Sequence, residues 1–313
     1  MSKLTKLKGD ASFRSFFRKK ENSNSTIVVY AKKEKFKNLL VYDAINKIFQ
    51  KNKILAPKLY SQKYNKNLME IEDFGDQTIF KILKKKSSNK LRYFKQIIKL
   101  LIKIQSIKSR KVKNFRNRNY SIPKYKKNIL INEANLFCDW YVKKNLSKSR
   151  GKKFSKNFRK IVKNLTFGLK LKDDILVHRD FHVSNLILVN NQIGIIDSQD
   201  ALIGNRAYDL ASLIDDVRLK TSISIKKKIL NLYLKKQKKI DIKKFINDFE
   251  ILSILRNLKI IGIFTRLAVR DGKKNYLKLI PYAWELINMR IHQNHAFIDL
   301  RNLLIQNFKK KIK

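Results

Sequence analysis

Hydrophobic and polar positions along this chain keep one rhythm up to about residue 76 and another after it. Residues 11–17 form a short aromatic, Arg-bearing segment, residues 21–25 are a polar turn, and residues 26–31 are β-branched and aromatic, so together they predict a hairpin. Phe36, Leu39, Leu40, Ala44, Ile48 and Phe49 recur at helical spacing and predict one helix, closed by Ile54-Leu55-Ala56-Pro57. Residues 59–60 and 68–71 predict two further strands across the polar turn 65–67. Beyond Asp76 the apolar positions fall three and four apart over residues 91–107, 129–142, 206–219, 240–267 and 277–292, each an amphipathic helix. The expected fold class is α+β, with a small β-rich lobe over residues 1–72 and a large helical lobe over residues 73–313.

One stretch of the helical half departs from this periodicity. Residues 175–200 read I-L-V-H-R-D-F-H-V-S-N-L-I-L-V-N-N-Q-I-G-I-I-D-S-Q-D. An H-x-D-x-x-x-x-N loop, a tight hairpin and an apolar run ending in Asp is the constellation by which kinase-type phosphoryl-transfer enzymes hold a hydroxyl, a metal ion and a triphosphate in line. The two apolar runs, 186–189 and 193–196, meet at Asn190-Asn191, residues that tolerate the left-handed backbone of tight hairpin turns.

The register of that hairpin decides what faces what. A two-residue turn pairs Ser184 with Asp197, and a three-residue turn pairs Asn185 with Asp197. In either case Asn185 and Asp197 come within roughly 5 to 7 Å at the open end of the ladder. An amide oxygen and a carboxylate at that distance suit Mg²⁺, which prefers hard oxygen ligands and shares them with nucleotide phosphates. Strict alternation under the two-residue register points the two side chains to opposite faces, so the three-residue register, or a ladder that ends before Asn185, is expected.

Asp180 sits five residues before Asn185 on the loop leaving strand 175–177. There its carboxylate can accept or orient the proton of an attacking hydroxyl while Asn185 and Asp197 hold metal on the nucleotide side. His178 is expected to brace the loop rather than move protons, and His182 is either a packed loop residue or a substrate contact.

With these residues in view, H178-R-D-F-H-V-S-N185, I-I-D197-S-Q-D-A-L-I-G and R-A-Y-D209-L-A-S-L resemble the aminoglycoside phosphotransferase family, a branch of the protein-kinase-like fold that phosphorylates small molecules. G9-D-A-S-F-R-S-F-F-R18, L68-M-E-I-E-D-F-G-D76 and E133-A-N-L-F-C-D-W-Y141 are similar to its anomeric sugar kinases, which phosphorylate N-acetylmuramate and N-acetylglucosamine at C1 in cell-wall recycling. The resemblance covers most of residues 9–216 and implies a two-lobed, ATP- and Mg²⁺-dependent kinase. It implies Asp180 as catalytic base, Asn185 and Asp197 as metal ligands, and Asp209 as a structural tie between a helix and the catalytic loop. Asp200 stays open between a place beside the metal and a turn residue. Asp73-Phe74-Gly75, far upstream of the loop, reads as the connection between lobes. Backbone near Met69, Glu70 and Glu72 would then hold the adenine, unless it is an ordinary strand end.

The chain has no G-x-G-x-x-G loop, and strand 27–31 has no lysine for the α and β phosphates. That role is expected to pass to Arg14, Arg18 or Lys32. Phe137, Trp140 and Tyr141 at helical spacing read as core in preference to a sugar platform, and Glu133 reaches either a sugar hydroxyl or a partner within the helix bundle.

The net charge of +49, from 73 Lys and Arg against 24 Asp and Glu, changes the picture least. The lysines are scattered, and their company of Ile, Asn, Phe and Tyr is what AT-rich codon usage produces, so nucleic acid is not the expected partner. The field would still repel a polycationic acceptor and attract a nucleotide. One cysteine, four histidines without zinc spacing, and no uncharged run near the roughly 18 residues of a membrane helix predict a soluble, cytoplasmic chain, expected to be a monomer. Other acceptors of the same chemistry, such as choline, homoserine or an aminoglycoside, and a nucleic-acid-binding protein on a degenerate kinase scaffold are the alternatives.

Overall fold

The computed structural model describes residues 3–7, 14–21, 24–32, 38–85, 89–237, 239–292 and 294–312. Packing divides the chain into two compact units, Met1–Pro123 with Leu176–Leu202, and Lys124–Ile175 with Ile203–Lys313. The boundary expected at residues 72 and 73 divides the chain by composition and role, which is a different criterion from compactness.

The first unit is built on a five-stranded antiparallel sheet. Its strands, β1 (Lys3–Lys6), β2 (Arg14–Glu21), β3 (Asn24–Ala31), β4 (Leu59–Lys63) and β5 (Leu68–Glu72), lie in the order β1-β2-β3-β5-β4. Alternation sends Ile27, Val29, Ala31, Met69 and Ile71 to one face, where they pack with Leu39 and Tyr42 of helix α1 (Asn38–Lys51). Helix α2 (Ile79–Lys84), too short to show a period in the sequence, is capped by the Thr78 hydroxyl. Helix α3 (Lys90–Gln105) is capped by Asn89, and a small hairpin follows, β6 (Lys111–Lys113) and β7 (Asn119–Ser121).

Strand β8 (Asp173–Val177) delivers the chain into the loop at 178–185, and β9 (Leu186–Val189) and β10 (Gln192–Ile195) form the hairpin beyond it. Gly194 sits where a Cβ would lie 2.8 Å from the Phe74 ring, so the aromatic side chain lies directly on the hairpin backbone. His178 is fully buried, stacked on Phe49 at 6.4 Å and edge-on to Phe181. Burial pushes its imidazole below the ordinary value, against the pull of Asp180 and Asp197.

The second unit is helical: α4 (Lys127–Leu136), a π-helical turn (Phe137–Val142), the single turn α5 (Lys143–Asn145), α6 (Lys148–Phe167), α7 (Ala207–Ile214), α8 (Ile223–Leu234), α9 (Ile242–Arg270), α10 (Ile280–Ile291) and α11 (Ile298–Phe308), with strand β11 (Leu202–Asn205) leading into α7. No described helix is long and apolar enough to cross a membrane. At 29 residues α9 is the axis of this unit. Phe137, Tyr141, Phe154, Phe158, Trp284 and Phe308 gather with ring centroids 5.3 to 6.0 Å apart. Phe137 and Tyr141, four apart, face the core, while Trp140 in the wider π turn is only partly buried, so the core reading holds for two of the three aromatics. Two buried carboxylates tie the helices: Asp248 accepts from the Lys170 and Leu171 amides at 2.8 Å and from Asn205 at 2.7 Å, and Asp215 accepts from Ser253, Arg290 and Lys226 at 2.6 to 3.1 Å.

Two outcomes follow from this packing. A Cβ on Gly262 would lie 2.3 Å from the carbonyl carbon of Leu136, a backbone atom that cannot yield without parting α9 from α4. Gly262→Ala is therefore expected to lower stability by about 3 kcal/mol, measured as a shift of the urea midpoint. His178 is held neutral in the folded protein, while the unfolded chain takes up its proton near a pKa of about 6.5. Below that pH the unfolded state binds more protons, so the contribution of His178 to stability is complete above about pH 7 and is lost as pH falls. Comparing urea midpoints at pH 7.5 and 5.5, His178→Gln should flatten the decline.

Candidate active site

The loop after β8 folds back on its own backbone. Arg179 takes a left-handed φ of 72°, the His182 amide donates to the Asp180 carbonyl at 3.0 Å, and Asn185 Nδ2 donates to that same carbonyl at 3.0 Å. The short 3₁₀ turn Val183–Asn185 follows, and one compact bend therefore carries both Asp180 and Asn185, each half-buried. His182 is 4% exposed with Nε2 3.4 Å from Asn185 Nδ2, which is the packed-loop alternative. His178 lies fully buried under the bend.

The hairpin register chooses between the two expected arrangements. Val189 pairs with Gln192 and Leu186 with Ile195, so the turn is the two-residue one, with Asn190 and Asn191 at φ 46° and 62°. The three-residue register would have cost the primed turn that matches the twist of the strands. The ladder ends before Asn185, whose carbonyl accepts from the Ile196 amide at 3.1 Å. Asp197 then takes a left-handed backbone, φ 65° and ψ 42°, and leaves the alternation that would have turned it away.

Of the cations expected near phosphate, the structure separates three fates. Arg14, at the start of β2 and opposite Ala31 of β3, donates to Asp197 Oδ1 at 2.5 Å and to Gln199 at 2.7 Å. It thus meets the end of the strand that lacks a lysine. Arg18 is committed elsewhere: its guanidinium bonds Asp73 at 2.5 and 3.0 Å and Asp76 at 2.6 and 3.1 Å. The Asp76 and Asp73 bonds raise Arg18, and Arg18 holds Asp76 below the usual carboxylate range. Burial alone would lift Asp73, but Arg18, the Ser25 hydroxyl and the Gly75 amide more than offset it and hold it low as well. Lys32 lies exposed just past β3. The segment at residues 9–13, part of the resemblance, lies outside the described residues.

Strand β5 lies between β3 and β4, so the backbone of residues 68–71 is taken up in two ladders, and the ordinary-strand alternative fits it better than an adenine contact. Met69 turns inward and, with Ile71, Tyr42, Asn46 and Pro57, lines a cavity of about 380 Å³. Glu70 turns to the opposite face and accepts from Thr26 at 2.6 Å, the bond that chiefly lowers its pKa, while Glu72 accepts from the Lys58 amide at 3.2 Å. Glu133 and Asp209 belong to the second unit. Glu133 accepts from the Tyr125 hydroxyl and pairs with Lys259 at 3.1 Å, one of the two alternatives left open for it, and Asp209 is buried in the first turn of α7.

Three residues at this site were not singled out from the sequence. Ser198 donates to Asn46 of α1 at 2.6 Å, and Asn46 donates to the Pro57 carbonyl at 3.2 Å, fastening the segment after Asp197 to the helix behind the sheet. Gln199 bonds Asp197 and Asp200 through one amide nitrogen, at 3.1 and 2.9 Å. The signal was the polar run S-Q-D directly after a buried strand. Among the described residues no group of three or more His, Cys, Asp or Glu gathers. A divalent cation would rely on the Asp197 carboxylate, an amide oxygen and oxygens brought by a nucleotide, a set of hard ligands that fits Mg²⁺.

Comparison with known proteins agrees with this geometry. Residues 3–239 match the phosphotransferase enzyme family. An N-acetylmuramate/N-acetylglucosamine kinase of Neisseria meningitidis is 27% identical over 286 residues, 89% of this chain and 82% of the relative. Another of that name, from Pseudomonas putida, is 26% identical over 97% of this chain and 88% of its own length. Among solved structures, the fold is similar to Plasmodium vivax ethanolamine kinase, with a TM-score of 0.62 at 15% identity over 99% of this chain and 84% of that one. It is also similar to the aminoglycoside phosphotransferase APH(4)-Ia, with a TM-score of 0.63 at 10% identity over 91% and 93%. The chain belongs to the phosphotransferase enzyme family and is a kinase of the two-lobed α+β fold that acts on an alcohol group.

Proposed function

We propose that this kinase uses ATP and Mg²⁺ to phosphorylate the anomeric hydroxyl of an N-acetylated amino sugar, N-acetylmuramate or N-acetylglucosamine, in cytoplasmic recycling of cell-wall sugars. The observation that carries the chemistry is the single bend bearing Asp180 and Asn185, bonded through the Asn185 carbonyl to the residue before Asp197. The choice of acceptor is supported by relatives of that name aligned over 89% and 97% of this chain. A net charge of +49 favours a neutral or anionic acceptor over a polycationic one.

In this reading Asp180 accepts or orients the proton of the C1 hydroxyl and sets its oxygen toward the γ-phosphorus. Asn185 and Asp197 hold the metal, which when bound neutralises the phosphate oxygens. Arg14 stands beside them as the fixed cation that the strand lacks, a planar donor matched to phosphate.

Purified protein with ATP, Mg²⁺ and either sugar should give a sugar 1-phosphate resonance in phosphorus NMR. Silence with both sugars sinks the choice of acceptor. Asp180→Asn should lower kcat by about 10² to 10⁴ while leaving nucleotide affinity within a few-fold. An unchanged kcat would remove Asp180 from the chemistry.

A further inference from the structure

The side chains around Asp197 are more ordered than a lone metal ligand requires. Gln199 is 7% exposed, and both of its polar atoms are engaged. Its Nε2 donates to Asp197 Oδ1 at 3.1 Å and to Asp200 Oδ2 at 2.9 Å, and its Oε1 accepts from Arg14 Nη1 at 2.7 Å. Arg14, 6% exposed, closes the ring by donating from Nη2 to the same Asp197 Oδ1 at 2.5 Å. Arg179 holds the far side of Asp200, with Nη1 3.2 Å from its carbonyl and 3.7 Å from Oδ1.

Both donors to Asp197 end on one oxygen. A carboxylate gripped twice at Oδ1 has its plane set, and Oδ2 is left as the oxygen to offer a cation; the side chain is 34% exposed. The backbone cannot supply this aim. Asp197 is past the end of the ladder and left-handed, so its side chain takes its bearing from what it bonds. The chemistry at position 199 is also narrowly defined. The residue must donate to two carboxylates and accept from a guanidinium, which a neutral amide can do and neither a carboxylate nor an ammonium can.

We propose that Gln199 is a positioning residue for the metal. It turns Asp197 Oδ2 toward a divalent cation, keeps Asp200 beside the site as a second anionic group, and couples both to Arg14 at the start of β2. The inference rests on the reading of Asp197 as a metal ligand. It adds that the aim of that ligand is set by an amide that does not touch the metal, an arrangement whose loss typically weakens binding without unfolding the site.

The test reads metal directly. Binding of Mn²⁺ to the full chain in the presence of a non-hydrolysable ATP analogue is followed by electron paramagnetic resonance, and thermal unfolding is recorded beside it. Gln199→Met, of nearly equal volume, should weaken Mn²⁺ binding about 10-fold or more while analogue affinity in EDTA stays within twofold. Gln199→Asn, polar but one methylene too short to span three partners, should do the same and decides the matter if the Met variant unfolds. Mn²⁺ affinity within twofold of the unsubstituted protein in a folded variant overturns the positioning role alone. No metal binding by the unsubstituted protein overturns it together with the reading of Asp197.

Discussion

Asp197 Oδ1 is where distant parts of the first unit are drawn together. Arg14 begins β2, Gln199 follows the hairpin, and Ser198 between them is fastened to Asn46 of α1. A guanidinium that is 6% exposed cannot be left without an anion, because an uncompensated buried charge costs several kcal/mol. The start of β2, the helix behind the sheet and the hairpin must therefore find one arrangement in which Arg14 meets Asp197. The geometry proposed for holding a metal and the geometry that satisfies Arg14 are the same one.

The rest of the first unit answers a similar demand with different residues. Arg18, four residues further along β2, gathers Asp73 and Asp76 around the turn at Gly75, whose φ of +76° needs a glycine. Two arginines on one strand thus anchor two separate acidic segments. The chain is poor in acids, 24 against 73 basic residues, and it places several of them where burial makes the pairing matter: Asp197, Asp73, Asp215 and Glu133. The lysine surplus has little part in the interior. Among the described residues Lys226 is the one lysine in the buried set, held by Asp215 and the Ile214 carbonyl. A surplus carried on the surface fits compositional drift, and it leaves the field around the first unit positive.

The elements that carry chemistry were the legible ones, because their residue types are restricted by local rules. Alternation at 27–31 and 68–71, and the Asn190-Asn191 turn, are backbone demands written in side chains. Helix α6 shows the opposite case. Its apolar stripe is Phe154, Phe158, Val162 and Leu165, a sound helical period among so many lysines and arginines that it was passed over. The π turn at 137–142 was hidden for another reason. It keeps helical composition and changes only the phase, so Trp140 was placed with Phe137 and Tyr141, whereas in the wider π turn it is only partly buried.

By itself, the sequence determined the reaction class and the residues of the bend and hairpin, since Asp180, Asn185 and Asp197 stand at fixed spacing within one local supersecondary unit. It also determined the α+β class, through two hydrophobic periods. Only the tertiary structure decided which arginine reaches Asp197. Arg14 and Arg18 are chemically alike and both available to the strand, and the choice falls to the segments brought opposite each of them. It likewise decided how the segment after the hairpin is held, because Ser198 and Gln199, directly after Asp197, bond Asn46 and Arg14 far away in the chain. Local periodicity fixes what an element is; which partners satisfy its buried polar groups is settled only when the whole chain is packed.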